Sequence, residues 1–317
     1  MGKDDNVILK RSTWEKIKRN KVAYAYISPF FILFAIFGLF PIVSGLYISF
    51  FSWDGLSSMR FVGIRNYYRL LQDALFWKSL YNTFFIGIIA HIPILLGALG
   101  LASILNSKLI KGVNIFKTMY FIPMLTSAVA VSIIFQNMFG YNFGLVNYAF
   151  KSMGLNKIDW FGGSGNYINI AIIIMFAWKW IGWNMVIYLA GMQGINTDIF
   201  EAAVVDGASQ FTIFRKITIP LLKPIIVFTI IQSTVGTINL FTEPFVLTNS
   251  LLGGSNHNGM TVMMYLLNKA PQGNNQYGFA SACAYVLTLI IIVISMMTLG
   301  ISEKNDDKPK RRRGRKS

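Results

Sequence analysis

Charge is what this sequence has least of. Only 13% of its 317 residues are Asp, Glu, Lys or Arg, while 54% are hydrophobic. Ordinary globular domains carry about 25% charged residues. Too little charge remains to coat a soluble surface of this size, and that points to a membrane protein. Cysteine is nearly absent: Cys283 alone excludes a disulfide framework or a cysteine-ligated metal site within one chain, and its hydrophobic run makes it a small core residue. The two histidines, His91 and His257, lie far apart in sequence, and no HExxH occurs, so no metal site is expected. GxSxG is missing, as is any paired acid, base or nucleophile, so no catalytic residue is expected. There is also no GxxxxGK(S/T) loop to cradle phosphates, which excludes ATP binding by that route. The formal charge of +16 does not signal nucleic acid. The basic residues gather at the termini and in short loops, without a zinc-finger or RNA-binding signature. Residues 1–21 are long and polar, and no small-residue cleavage site follows, so the first apolar run reads as a retained span.

Long apolar runs are abundant. A spanning helix needs about 20 mostly apolar residues. Six segments qualify: Tyr24–Phe51, Leu80–Leu105, Val113–Phe139, Tyr167–Met192, Pro220–Thr248 and Tyr277–Ile301. The expected fold class is all-α integral membrane with six transmembrane helices: a membrane domain over 23–301 between basic tails at 1–22 and 302–317. Pro29, Pro41, Pro93, Pro123, Gly236 and Pro244 fall in these runs, which predicts kinked helices packed on one another.

Lysine and arginine set the orientation. Of 29, seven lie in the N-terminal tail and eight in the C-terminal tail. Three more lie in each of the second-to-third and fourth-to-fifth connections; the other three loops share seven. Both termini and the fourth-to-fifth connection are therefore expected in the cytoplasm. The tail KPKRRRGRKS reads as a solvated anchor beside anionic lipid. In the opposite loops, Asn66-Tyr67-Tyr68 and Asp159-Trp160-Phe161-Gly162 suit a membrane interface or an external partner.

The connection at 198–220 is polar and yet patterned. Asp198 and Glu201 suit a helix start, with a carboxylate or Thr197 as cap. Phe200, Ala203, Val204 and Gly207 share a face by three-to-four spacing. Gly207 permits a sharp bend. Phe211, Phe214 and Ile217 then line a second face, and Pro220 suits the first turn of the fifth span. The expectation is a helix–bend–helix knuckle. Its acidic Glu201 and Asp206 favour docking on protein over resting on anionic lipid.

Glu201-Ala202-Ala203, then Gly207, then Ile217, then Ile219-Pro220 resembles the EAA signature of binding-protein-dependent ABC importer permeases. The one departure is Ile219 for the usual Leu. SPFFILFAIFGLFPIVSGLYISF, FVGIRNYYRLL and FKTMYFIPML look like the sugar branch of that family, of maltose, lactose and glycerol-phosphate type. The resemblance covers most of the chain. It implies a type I permease fold and a place as the first of two non-identical permease subunits in a bacterial inner membrane. It also implies two copies of a separate ATPase that bind ATP and Mg below, and a sugar-binding protein outside. Glu201, Ala202, Ala203, Asp206, Gly207, Ile217 and Pro220 would form the ATPase-coupling knuckle. Glu201 would pair with a basic ATPase group.

Sugar sites use aromatic faces and hydroxyl-pairing groups. The fourth span offers Trp178, Trp180, Trp183, Asn184 and Lys179; the fifth offers Gln232, Thr234, Asn239 and Glu243. Contacts of the maltose-type relative carry over onto Phe176, Lys179, Trp180 and Trp183, and onto Val235, Gly236 and Asn239. Of these only Asn239 keeps the polar type, which implies a different sugar. Packing remains an alternative for Trp178 and Trp180. Lys179 offers a charge to an acidic sugar. Glu243 offers one to a ligand, or to a basic residue of the partner permease or binding protein.

Two other classes compete. A secondary carrier often shows repeated halves, which are not evident here, and it leaves the knuckle without a purpose. A membrane enzyme lacks its catalytic groups. Within the importer reading, peptide or amino-acid cargo stays open, since the EAA pattern does not discriminate cargo.

Overall fold

Prolines decide how the apolar runs are wound. The computed structural model describes residues 20–107, 110–162, 167–270 and 274–306. The remainder of the two basic tails, 1–19 and 307–317, lies outside the described residues. The first run is helix α1 (Lys21–Ser49), which holds a wide π turn at Ala35–Leu39 just before Pro41. A proline ring crowds the carbonyl four residues back; here that carbonyl belongs to Phe37, inside the wide turn. The same pairing recurs ahead of Pro220, as described below.

After α1, a short antiparallel ladder joins β1 (Phe51–Ser52) to β2 (Arg60–Phe61), with Phe51 opposite Phe61. This is a small departure from the all-α expectation. It closes an exposed loop in which Asp54 accepts from the backbone N–H groups of Ser57 and Leu56, bonds that hold its carboxyl down to about 2. Helix α2 (Arg65–Gln72) follows, and buried Asn66 ties it back by donating to the carbonyls of Ser49 and Phe51 at 2.8 and 2.9 Å.

Helix α3 (Ala74–Asn106) is capped by Asp73 and contains Pro93 without a break. Burial pushes the Asp73 carboxyl up, but the Tyr265 hydroxyl at 2.7 Å and the Lys269 ammonium at 3.2 Å outweigh it and hold it below its ordinary value.

The third run, expected as one span to Phe139, is two helices. α4 (Val113–Leu125) and α5 (Ala128–Met138) meet at 91°. Pro123 removes one helical donor near the end of α4. Thr126 and Ser127 then turn extended, with ψ 142° and 130°. The Thr126 hydroxyl satisfies the Ile122 carbonyl at 3.0 Å.

Beyond the short α6 (Leu145–Ser152) comes the central helix α7 (Tyr167–Gln193). It packs along much of α3 and also touches α4 and α9. At Gly182 the backbone of α4 rests directly on α7: a Cβ there would lie 1.6 Å from the Tyr120 carbonyl oxygen.

Helix α8 (Thr197–Val205) is followed by α9 (Gln210–Ile238). The fifth run, expected to continue to Thr248, stops at Ile238 and resumes as α10 (Thr242–Thr248). In an unbroken helix the ring of Pro244 would crowd the Leu240 carbonyl. That carbonyl instead accepts from the Thr261 hydroxyl at 2.6 Å, so it is not left stranded in the membrane.

The loop after α10 is stitched to α3. Asn82 donates to the carbonyls of His257 and Met260, and the Thr83 hydroxyl accepts from the Val262 N–H at 2.8 Å. α11 (Val262–Lys269) and the last helix, α12 (Tyr277–Asp306), complete the bundle, with α12 packed on the second half of α1.

Candidate functional site

Two places in this frame carry the residues singled out from the sequence. The first is the knuckle between α7 and α9. Asn196, rather than Thr197, caps α8: its side-chain oxygen accepts from the Asp198 N–H at 3.0 Å. Asp198 then sits in the first turn, where a negative charge suits the helix dipole. The helix ends in a left-handed glycine closure. Ala208 N–H donates to the Ala203 carbonyl at 2.9 Å and Gly207 N–H to Val204 at 3.0 Å, with Gly207 at φ +75°. Ser209 accepts from the Thr212 N–H to start α9 at once.

Ala203 is buried and Phe200 half-buried, as the shared face predicts, whereas Val204 is exposed. Glu201, Ala202, Asp206 and Gly207 all face outward. The second face differs from expectation. Phe211 is exposed and Ile213 is buried in its place. The cause is the wide turn Phe214–Thr218, which carries the backbone into Pro220 without a break. Pro220 therefore lies within the continuous α9, and Ile217 is half-buried beside it. The buried positions step from Ile213 to Thr218 and then to Leu222, a five-residue stride across the wide turn followed by an ordinary four.

The second place is a cavity of about 290 Å³ between α7 and α9. Four of the eight residues expected on the substrate path line it: Phe176, Trp180, Val235 and Gly236. Phe228, Ile231, Gln232 and Ser233 complete the wall. The Phe176 and Trp180 rings tilt together at 5.8 Å, and the buried Trp180 indole N–H has no partner among the described residues. Beside Gly236 the space is open. Phe228, Ile231 and Ser233 were not singled out from the sequence. They follow from Gln232 once α9 is known to turn its exposed side here.

The other four expected residues lie elsewhere. Trp183 stacks on Phe121 of α4 at 5.8 Å. Asn239 is exposed and donates to the Val235 carbonyl, closing the end of α9. Lys179 and Glu243 find each other: Nζ to Oε1 is 2.9 Å, with the residues 7% and 8% exposed. Glu243 was expected to meet a ligand or a neighbouring subunit. Its partner is instead a cation of its own chain, and the pair fastens α10 to α7. Gln136 of α5 holds α10 from the other side by donating to the Val246 carbonyl at 3.2 Å.

Residues 94–304 match the family described as binding-protein-dependent transport system inner membrane component. The chain belongs to that family. Both the knuckle and the cavity of the permease fall within the matched region. The chain is 35% identical over 277 residues to the lactose transport system permease protein LacF of Rhizobium radiobacter, covering 86% of this chain and 91% of the relative. It is 34% identical over 299 residues to the arabinooligosaccharides transport system permease protein AraP of Bacillus subtilis strain 168, covering 92% and 93%. Among solved structures, it superposes on a chain of the bacterial alginate ABC transporter in complex with alginate pentasaccharide-bound periplasmic protein. The TM-score is 0.77 at 22% identity, over 94% of this permease and 99% of that chain. At that identity the likeness is one of fold, which is that of a type I ABC importer permease.

Proposed function

We propose that the chain is the first of two non-identical permease subunits of an ATP-driven oligosaccharide importer. The observation that carries this reading is the knuckle: a capped helix, a left-handed bend at Gly207 and an outward Glu201. It stands in a chain whose relatives are named for lactose and arabinooligosaccharides. The concentration of lysine and arginine supports a cytoplasmic position for the knuckle and both termini in a bacterial inner membrane.

In this reading two copies of a separate ATPase bind ATP and Mg and seat the two permeases' knuckles. Ala202 and Ala203 allow close approach, Glu201 and Asp206 pair with basic ATPase groups, and Gly207, Ile217 and Pro220 hold the lever rigid. A sugar-binding protein on the opposite side delivers cargo to the cavity, where Phe176 and Trp180 offer ring faces and Gln232 offers hydrogen bonds. Closure of the ATPases pushes the knuckles and rocks the helices between inward- and outward-facing states.

The test is Glu201→Lys and Gly207→Pro in the assembled transporter. Both are expected to abolish uptake and to uncouple or shed the ATPase, read as lost sugar-stimulated ATP hydrolysis. Normal stimulated hydrolysis in both variants would sink the assignment.

A further inference from the structure

We infer that this chain's share of the pathway is built for uncharged sugars, and that Glu243 keeps it so by neutralising Lys179. The inference rests on the sugar-importer reading and narrows it to a cargo class. None of the eight cavity residues carries a formal charge. What they offer is two aromatic faces, the Gln232 amide and the Ser233 hydroxyl. Those groups pair with hydroxyls.

Lys179 is not one of the eight, but on α7 it falls within the turn between two that are, Phe176 and Trp180. An ammonium left unpaired at that depth would be costly and would draw an anion to itself. Glu243 offsets both effects by holding it at 2.9 Å, with the two side chains only 9% and 10% exposed. Carboxylated sugars therefore find no free positive charge here, although sugar transporters do serve acidic cargo: one solved structure of this fold is described as importing the acidic polysaccharide alginate. Glu243 acts through Lys179 and is a positioning residue.

The experiment is uptake by proteoliposomes holding the complete transporter with its binding protein. The neutral probes are lactose, arabinotriose and maltotriose; the acidic probe is trigalacturonate. Wild type is expected to import at least one neutral probe in preference to trigalacturonate. In Glu243→Gln the neutral-to-acidic uptake ratio is expected to fall by about tenfold or more, because removing one partner leaves the other charge buried and uncompensated. In Lys179→Met/Glu243→Gln, which removes both charges, the ratio is expected to return to within about threefold of wild type.

A wild type that prefers trigalacturonate overturns the inference and leaves the sugar reading standing. A wild type that takes up neither class overturns the sugar reading, and this inference with it. If both variants lose neutral uptake without any change in ratio, the pair is structural only and the inference fails. The wild-type comparison decides the cargo class even if Glu243→Gln does not assemble.

Discussion

Helices α1 and α7 are both long enough to cross a membrane, and the more apolar of the two is the less buried. No residue in the most apolar stretch of α1 is buried, whereas more than half of those in the corresponding stretch of α7 are. α7 carries Asn169, Lys179 and Asn184, all buried; the apolar stretch of α1 has no such group. In water the oily helix goes inside. In a bilayer the surroundings are as apolar as any leucine, so packing, small residues and paired polar groups choose the interior. The polar blemishes of α7 are the marks of a helix that touches protein on most sides.

Gly182→Leu attacks this contrast hardest. The new side chain would drive into the Tyr120 carbonyl, and α4 cannot withdraw without leaving α7. The expected cost exceeds the about 1–3 kcal/mol of ordinary overpacking, because the obstacle is backbone. Loss of the intact complex on size-exclusion chromatography is the expected readout; a normal yield and melting temperature would remove Gly182 as a contact point.

Tyr188→Phe is a milder probe. Its hydroxyl meets the Thr229 hydroxyl of α9 at 2.6 Å, with both residues buried. Interhelical hydrogen bonds in membranes are worth about 0.6–1.7 kcal/mol. A thermal-melting double-mutant cycle with Thr229→Val should return a coupling in that range; strictly additive losses would deny the bond.

The smallest effect is expected from Phe37→Leu in α1, where the ring is 75% exposed. A shift within about 0.5 kcal/mol is expected. A loss equal to that of Tyr188→Phe would show that another chain covers α1 in the assembly, and the contrast would vanish.

Much of this architecture was legible in the residues. Apolar run length located the five helices long enough to cross and the bent pair that makes a sixth if counted as one span, because the hydrocarbon thickness leaves few alternatives. Gly207 announced its bend, since few other residues accept that conformation. The two broken crossings were less visible. Val113–Phe139 and Pro220–Thr248 read as unbroken because their apolar character runs through the breaks. The group that makes the second break tolerable, Thr261, lies 21 residues downstream of Leu240. Phe211, Phe214 and Ile217 misled for a different reason. Their three-residue spacing assumes an ordinary helix, and the wide turn before Pro220 puts Ile213 and Thr218 inside instead. Lys179 and Glu243 were both conspicuous. Nothing local says that each is the other's partner, because hydropathy is blind to which two charges will meet.

Their separation also has a consequence for how the protein is made. Glu243 follows Lys179 by 64 residues. At about 5–20 residues per second on the ribosome, the lysine emerges roughly three to thirteen seconds before its carboxylate exists. During that interval α7 carries an uncompensated ammonium, which has only headgroups, water or the insertion machinery for company. The helix at the centre of the finished bundle is thus among those that settle late, waiting for a short helix three helices further along the chain.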